Sequence, residues 1–247
     1  MTTSCFFTRP DGLRLAFERV KGEGPTIVFL SGYKSDMKGT KALALEAWAI
    51  RNGQAMLRLD YSGSGQSEGV FEDGTLTGWA ADARMIVDAT ERWPVILVGS
   101  SMGGWIMLLL ALALGDQVKA MVGIAAAPDF TDWGFSAQEK GQIEKFGRLE
   151  RPSDYGPEPM VTTRSFWQSG QANRVLGADI AITCPVRLLH GQRDTDVPWQ
   201  ISVQLAERLR SDDVQVTLIK DGDHRLSRQP DIDLLVRTVS LLLDRKC

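Results

Sequence analysis

The sequence predicts an α/β protein in which a mostly parallel sheet is covered by helices on both faces. Two observations carry this prediction. Short apolar runs alternate with longer segments of helical periodicity along most of the 247 residues. Runs such as residues 26–30 and 95–98 carry no charge, as is typical of strands buried on both faces. A chain of this length buries roughly 70% of its unfolded surface, which suffices for one full core.

The individual elements follow in chain order. Residues 6–9 and 13–20 are expected to form a hairpin, because Asp11-Gly12 between them is a tight-turn signal. Further strands are expected at 26–30, 55–59, 95–98, 118–126, 186–190 and 216–219. Helices are expected at 38–51, 75–93, 102–114, 199–210 and 232–244. The spacing of Leu43, Ala47 and Ile50 predicts the buried face of the first helix.

One segment, residues 128–180, interrupts this alternation. It is rich in glycine, proline and aromatic residues and has no strand pattern. We interpret it as a cap insertion within a single domain that spans residues 1–247. Short helices are expected in it at 136–146 and 164–175.

Composition excludes several classes of function. The formal net charge is -3, so there is no basic excess that would bind nucleic acid. Residues 94–115 carry no charge, but glycines and serines at 99–104 divide them into pieces too short to span a membrane. Three widely spaced cysteines, Cys5, Cys184 and Cys247, offer neither a disulfide framework nor a metal site. We therefore expect no metal, and no cofactor.

The N-terminal residues and the cysteines bear on location. Residues 1–12 lack the basic and apolar regions of a signal peptide. The odd number of cysteines favours a reducing compartment. We expect a bacterial cytoplasmic protein, and a processed mitochondrial form stays open.

Residues 99–103, GSSMG, fit the G-x-S-x-G pattern of a nucleophile elbow. In such an elbow a sharp turn between a strand and a helix lifts the serine to the edge of the sheet. Here a predicted strand precedes the motif and a predicted helix follows it. Residues 65–69 fit the same pattern, but Ser67 lies between glycine-rich loops, which favours a structural role. Ser101 is therefore the predicted nucleophile.

A serine nucleophile needs a base, and the chain has two histidines. The order along the chain in this architecture is serine, acid, histidine, and His224 satisfies it. His190 ends a predicted strand and is interpreted as structural. The acid is expected just after that strand, where Asp194 and Asp196 both qualify. One of them would orient the base, and the other would be a loop or helix-cap carboxylate.

Two backbone N–H groups are expected to hold the oxyanion of a tetrahedral intermediate. One belongs to Met102, the residue after the predicted nucleophile. The other is assigned to Tyr33, in the tight turn that follows the strand at 26–30.

Five landmarks in order resemble those of the α/β-hydrolase superfamily along the whole chain. They are SGY at 31–33, DYSGSGQS at 60–67, the elbow at 99–103, GQRDTDVP at 191–198 and GDH at 222–224. The resemblance implies the α/β-hydrolase fold, and it implies that the acid is Asp194 rather than Asp196. The usual His-Gly of the oxyanion turn is Ser31-Gly32 here, which retains the backbone donor and removes a common side chain.

Three segments are more specifically similar to the mitochondrial family of palmitoyl-protein thioesterases that also cleave acyl glucuronides. They are FLSGYKSDMKGTKALALE, RLDYSGSGQSEG and LVGSSMGGWIMLLLAL. This resemblance implies a serine hydrolase that cleaves acyl thioesters or carboxylic esters through an acyl-enzyme. The expected partner is a small acyl ester or thioester, or an S-acylated protein.

Two other interpretations stay open. A carbon–carbon bond hydrolase or a lactonase would use the same triad, and a hydrolase-like binding protein would capture a ligand with little turnover. A dehalogenase is disfavoured, because its nucleophile is an aspartate where Ser101 stands.

Aromatic residues of the insertion are candidates for an acyl pocket, because the insertion is expected over the carboxyl edge of the sheet. The candidate substrate-binding residues are Trp133, Phe135, Phe166 and Trp167, with Phe130 beside them, and Trp105 after the elbow. Packing of the insertion onto the body is an equally good explanation for each of them. Five charged residues are expected near the mouth, without an assigned role: Asp36, Asp221, Asp223, Lys34 and Arg225.

Overall fold

An eight-stranded sheet forms the centre of the molecule. The computed structural model describes residues 4–90, 94–152 and 159–244. Its strands are β1 (Cys5–Thr8), β2 (Arg14–Val20), β3 (Glu23–Leu30), β4 (Gln54–Leu59), β5 (Val95–Ser100), β6 (Val118–Ile124), β7 (Arg148–Arg151), β8 (Met160–Thr163), β9 (Val186–Gly191) and β10 (Val214–Ile219). The central sheet has the order β1-β2-β4-β3-β5-β6-β9-β10. Neighbouring strands from β4 to β10 pair in parallel, and the hairpin β1–β2 adds an antiparallel edge.

Helices cover both faces of this sheet. They are α1 (Thr40–Asn52), α2 (Leu76–Thr90), α3 (Met102–Leu114), α4 (Phe130–Trp133), α5 (Ala137–Phe146), α6 (Arg164–Ala172), α7 (Gln200–Arg208) and α8 (Gln229–Leu243). Successive residues of β3 point to opposite faces, so Val28 and Leu30 pack with α2 and α3. Ile27 and Phe29 pack with α1 and α8 on the other face. Two apolar layers therefore enclose the sheet.

Helix α1 buries a different face from the predicted one. Leu43 and Ile50 are 42% and 57% exposed, and the core side carries Ala42, Leu45 and Ala49. Both sets have helical spacing, so spacing alone does not choose between them. The choice follows from an ion pair: Glu46, on the buried side, pairs with the buried guanidinium of Arg58 on β4. That contact fixes the rotation of the helix.

The predicted insertion lies between β6 and β9. Its helices α5 and α6 match the two expected ones, with α4 as a short addition. The expectation that it contains no strand is wrong, because β7 and β8 pair antiparallel from Arg148↔Thr163 to Arg151↔Met160. Each of these strands has only four residues; β7 has charged side chains at three of its four positions, and β8 ends in two threonines. So short and polar a pair leaves no apolar run in the sequence.

The uncharged stretch at 94–115 divides between β5 and α3, as its glycines predict. Within the described ranges, no helix has both the length and the apolar character needed to cross a membrane.

Candidate active site

Ser101 occupies a strained turn between β5 and α3. Its backbone angles are φ 56° and ψ -122°, a conformation that a residue with a side chain rarely adopts. Hydrogen bonds on both sides hold it there: the Ser101 N–H donates to the Ile124 carbonyl at 2.9 Å, and the Gly104 N–H donates to the Ser101 carbonyl at 2.9 Å. The turn places the side chain in the wall of a cavity at the carboxyl edge of the sheet.

The loops after β9 and β10 are held against each other at the same edge. A Cβ atom on Gly191 would lie 2.3 Å from the Gly222 carbonyl oxygen, so only glycine permits this approach. The Arg193 N–H donates to that carbonyl at 2.9 Å, and the Gln192 N–H donates to the Ile219 carbonyl at 2.8 Å. These contacts fix the relative position of the two loops that carry the candidate acid and base.

The three predicted residues form one hydrogen-bonded path. Nε2 of His224 lies 3.1 Å from Oγ of Ser101, and Nδ1 lies 2.7 Å from Oδ2 of Asp194. The side chain of Asp194 is fully buried, and that of His224 is 17% exposed. Of the two candidate acids, therefore, Asp194 is in contact with the histidine. Asp196 is exposed and lines the cavity.

Asp194 is held as a carboxylate by its surroundings. Burial opposes its ionisation, but hydrogen bonds from His190 and His224 and from backbone N–H groups outweigh burial and hold the pKa of the carboxyl well below its usual range. Its Oδ1 atom accepts the backbone N–H groups of Asp196 at 2.9 Å and Val197 at 2.8 Å. An ionised acid so placed can orient an imidazole without taking its proton.

His190 contacts the candidate acid, and the sequence did not predict this contact. Its side chain is fully buried, as expected of a structural residue. Yet its Nε2 atom lies 3.1 Å from Oδ2 of Asp194, the oxygen that also contacts His224. The sequence feature that could have indicated this contact is the position of His190 at the end of β9, four residues before Asp194.

The turn after β3 lies beside Ser101. A Cβ atom on Gly32 would be 3.3 Å from the Cβ of Ser101, so the backbone approaches the serine directly. Met102 is the first residue of α3, and the first N–H groups of a helix have no partner within the helix. The predicted oxyanion donors, the N–H groups of Tyr33 and Met102, thus belong to segments on either side of the serine.

The Tyr33 side chain connects this turn to the insertion. Its hydroxyl donates to the Val161 carbonyl on β8, and the neighbouring Lys34 ammonium donates to the Pro159 carbonyl at 2.6 Å. Burial raises the pKa of Tyr33 above its usual range, so the hydroxyl stays a donor. The ring packs against Phe71 and Phe166, each with a centroid distance of 5.0 Å.

A cavity of about 930 Å³ opens above Ser101 and His224. Apolar side chains of the insertion form one part of its wall: Phe130, Trp133, Phe135 and Met160. Basic side chains form another part, where the Lys41 ammonium donates to the Arg225 carbonyl. Lys34 and Arg151 also line the cavity, but they contact the insertion: Lys34 bonds the Pro159 carbonyl, and Arg151 lies over the ring of Phe135. Of the charged residues expected near the mouth, Lys34 and Arg225 line the cavity, and Asp36, Asp221 and Asp223 do not. The sequence did not point to Lys41 or Arg151. A space with one apolar and one basic wall suits an amphipathic molecule.

Three of the candidate substrate-binding residues lie outside the lining. Trp105 is fully buried, and its indole N–H donates to the Asn173 carbonyl at 3.1 Å. Trp167 donates to the Thr131 carbonyl at 2.9 Å, and Phe166 is buried among the rings around Tyr33. Trp105 and Phe166 thus attach the insertion to the body, whereas Trp167 packs within the insertion itself.

The second serine motif has a structural setting. Oγ of Ser67 donates to the Asp60 carbonyl at 2.7 Å and accepts the Ala16 N–H at 2.8 Å. It joins the loop after β4 to β2. Among the residues that the structure describes, no group of three or more histidine, cysteine or acidic side chains has the arrangement of a metal site.

Comparisons with known proteins agree with this architecture. The family described as "Serine aminopeptidase, S33" matches residues 24–145. The human protein named palmitoyl-protein thioesterase ABHD10, mitochondrial, is 42% identical over 248 residues, covering 99% of this chain and 81% of the relative. The solved structure of α/β-hydrolase domain-containing protein 10 from mouse is 41% identical, with a TM-score of 0.92 and coverage of 98% of both chains. The structure of a hydrolase from Agrobacterium vitis S4 is 40% identical, with a TM-score of 0.91 and 99% coverage of both. These similarities confirm the predicted α/β-hydrolase fold.

Proposed function

We propose that this chain, which belongs to the ABHD10 family of α/β-hydrolases, cleaves acyl thioesters and carboxylic esters with Ser101 as nucleophile, His224 as base and Asp194 as the orienting acid. The observation that carries the proposal is the unbroken hydrogen-bonded path from Asp194 through His224 to Ser101 at the wall of an amphipathic cavity. A relative in this family is named a palmitoyl-protein thioesterase.

In the proposed reaction, Oγ of Ser101 attacks the acyl carbonyl carbon while Nε2 of His224 takes its proton. The N–H groups of Tyr33 and Met102 receive the negative charge that develops on the carbonyl oxygen. The carbon–sulfur or carbon–oxygen bond then breaks, and the leaving thiol or alcohol departs with the proton from His224. Water, deprotonated by the same imidazole, attacks the acyl-enzyme, and the carboxylic acid leaves Ser101 free.

The two walls of the cavity suggest how a substrate would lie. The acyl chain would pack on the aromatic wall around Trp133 and Phe135. The leaving group would face the basic wall around Lys41 and Arg225, which supports a leaving group that carries an anion, such as a glucuronide. An S-acylated protein would instead insert its acylated cysteine through the mouth to reach Ser101, and the rest of that protein would stay outside the cavity.

Labelling with a fluorophosphonate tests the nucleophile. We expect one stoichiometric label on Ser101, none on Ser101→Ala, and multiple turnovers of a p-nitrophenyl ester by the unmodified protein. Equal labelling of both forms would contradict the assignment of Ser101. A single turnover followed by arrest would indicate a ligand-binding protein instead.

A series of thioesters and oxygen esters from acetyl to palmitoyl tests the acyl pocket. Each buried methylene adds up to ~0.8 kcal/mol, so four of them could raise kcat/KM by about a hundredfold. We expect Trp133→Ala to flatten this dependence on chain length. The matched control is Trp167→Ala, which removes an indole of the insertion that does not line the cavity. Equal effects of the two variants on chain-length preference would contradict the assigned acyl wall.

The same proposal includes a reducing, cytoplasmic location in a bacterium. Its support is the odd number of widely spaced cysteines. Burial also raises the pKa of the Cys184 thiol to about 11, which keeps that residue unreactive.

A further inference from the structure

The proposed mechanism does not use His190, a buried polar side chain next to the candidate site. This residue ends β9, is fully buried, and contacts polar groups from three directions. Its Nδ1 atom lies 2.7 Å from Oγ of Ser202 on α7. Its Nε2 atom lies 3.0 Å from the Val197 carbonyl oxygen and 3.1 Å from Oδ2 of Asp194.

These partners determine which nitrogen of His190 carries a proton. The Val197 carbonyl and the Asp194 carboxylate can only accept hydrogen bonds, so Nε2 must be the donor to both. The Ser202 hydroxyl can donate to Nδ1, which favours the Nε2–H tautomer. The buried serine therefore sets the tautomer and the ring orientation of the histidine, as outer partners do for histidines at metal sites.

Each oxygen of the Asp194 carboxylate therefore accepts two hydrogen bonds. Its Oδ1 atom takes two backbone N–H groups, and its Oδ2 atom takes Nε2 of His190 and Nδ1 of His224. With two donors on each oxygen, the carboxylate has one orientation in which all four hydrogen bonds are made. Loss of the His190 donor would leave Oδ2 of the buried carboxylate with His224 alone, and only the two hydrogen bonds to Oδ1 would then oppose a change in the orientation of the group.

We infer that His190 is a positioning residue, which holds Oδ2 of Asp194 toward His224 and is itself fixed by Ser202. The inference rests on the proposed function, because orientation of Asp194 affects the rate only if His224 activates Ser101. The path then has five side chains, with successive separations of 2.7, 3.1, 2.7 and 3.1 Å from Ser202 to Ser101.

Three variants separate positioning from packing. His190→Leu keeps a similar volume and removes every hydrogen bond of the ring. His190→Gln keeps an N–H donor near the position of Nε2. Ser202→Ala removes only the hydroxyl that orients the ring. Val87→Ala, a buried change on α2 away from the cavity, is the control for general loss of stability.

The readouts are kcat and KM for a short p-nitrophenyl ester, together with the thermal midpoint of unfolding. We expect kcat of His190→Leu to fall tenfold to a hundredfold with KM within about twofold, the range that loss of an outer hydrogen-bond partner produces at histidine–carboxylate metal sites. His190→Gln should recover most of this loss, and Ser202→Ala should lose roughly threefold to tenfold in kcat. Val87→Ala should lower the unfolding midpoint and leave kcat unchanged.

A double-mutant cycle tests whether His190 acts through Asp194. In an Asp194→Asn background, His190→Leu should reduce kcat by less than about threefold, because the group that it positions is already lost. A reduction equal to that in the wild-type background would overturn the inference, as would a folded His190→Leu with wild-type kcat. If His190→Leu does not fold, Ser202→Ala decides, and wild-type kcat in that variant would overturn the inference.

Fluorophosphonate labelling keeps the two proposals distinguishable. If Ser101 of the wild-type protein is not labelled, the proposed function fails. If Ser101 is labelled and all His190 and Ser202 variants keep wild-type kcat, the proposed function stands and only the role of His190 is wrong.

Discussion

At the scale of single residues, the site depends on which of two neighbouring aspartates orients His224. Asp194 is fully buried and lies 2.7 Å from Nδ1 of His224, whereas Asp196 is exposed. We expect Asp194→Asn to lose up to about 10⁴ in kcat, the loss known from a serine protease whose histidine is left in the wrong tautomer. Asp196→Asn keeps the same loop and serves as the control, with a loss below about tenfold. Measured kcat values decide the point, with circular dichroism to confirm folding, and the reverse ranking would refute the assignment.

The pKa of Lys41, on the basic wall of the cavity, leads to a second prediction for a single residue. Burial is the main cause that lowers its pKa to about 8; Asp223 opposes the shift and Arg225 adds to it. Between pH 8 and the ordinary lysine range, the unfolded chain therefore binds more protons than the folded one, and stability rises with pH.

Replacement of this lysine should remove that rise. From pH 7.5 to 9.5, the free energy of unfolding of the wild type should increase relative to Lys41→Met by up to roughly 2 kcal/mol. Urea unfolding at the two pH values measures the difference. A difference that stays constant with pH would show that Lys41 is no harder to protonate in the folded state than in the unfolded chain.

At the scale of elements, β8 of the insertion is tied to the turn that carries a proposed oxyanion donor. Tyr33 belongs to that turn, and its hydroxyl donates to the Val161 carbonyl on β8. Tyr33→Phe keeps the ring and the backbone N–H but removes this hydrogen bond. We expect kcat to fall about threefold to tenfold and stability to fall by about 1 kcal/mol. The loss of stability is of this size because only one neutral hydrogen bond is removed.

The control for this prediction is a second hydrogen-bonded contact between the body and the insertion. Oγ1 of Thr77 on α2 lies 2.9 Å from Oγ of Ser169 on α6 and accepts the side-chain N–H of Asn173 at 2.8 Å, far from the oxyanion turn in the chain. Thr77→Ala should cost a similar amount of stability and leave kcat unchanged. If both variants change kcat equally, the general attachment of the insertion matters, and the Tyr33 turn has no special part.

At the scale of the whole molecule, α3 is the centre of one apolar layer. Most of its side chains are buried, because it packs on the sheet, on α2 and under the insertion. Leu108→Ala should cost about 2–5 kcal/mol, since a fully buried leucine leaves a cavity. Leu112, on the same helix but 41% exposed, is the control, and Leu112→Ala should cost less than about 1 kcal/mol. Chemical unfolding measures both, and equal losses would contradict the packing.

The sequence predicted the central sheet well because its parallel strands are buried and therefore apolar. The elbow and the chain order selected Ser101 and His224 as candidates, and the structure places these two side chains 3.1 Å apart. Spacing left Asp194 and Asp196 equivalent until the family resemblance favoured Asp194. The rotation of α1 could not be predicted, because it depends on the contact between Glu46 and Arg58. The aromatic residues of the insertion could not be sorted either, because composition does not reveal that Trp133 lines the cavity and Trp167 does not.

The insertion leaves and rejoins the sheet between strands that are direct neighbours, with Ile124 on β6 paired to Leu189 on β9. The sheet therefore imposes little constraint on the length of what lies between them, and doubling the length of such a connection costs only about 0.6 kcal/mol in chain entropy. One contiguous coding segment specifies the aromatic wall, while Ser101, Asp194 and His224 are encoded outside it. Exchange of that single segment between related genes would thus change the lining of the cavity and leave the loops that carry these three residues intact.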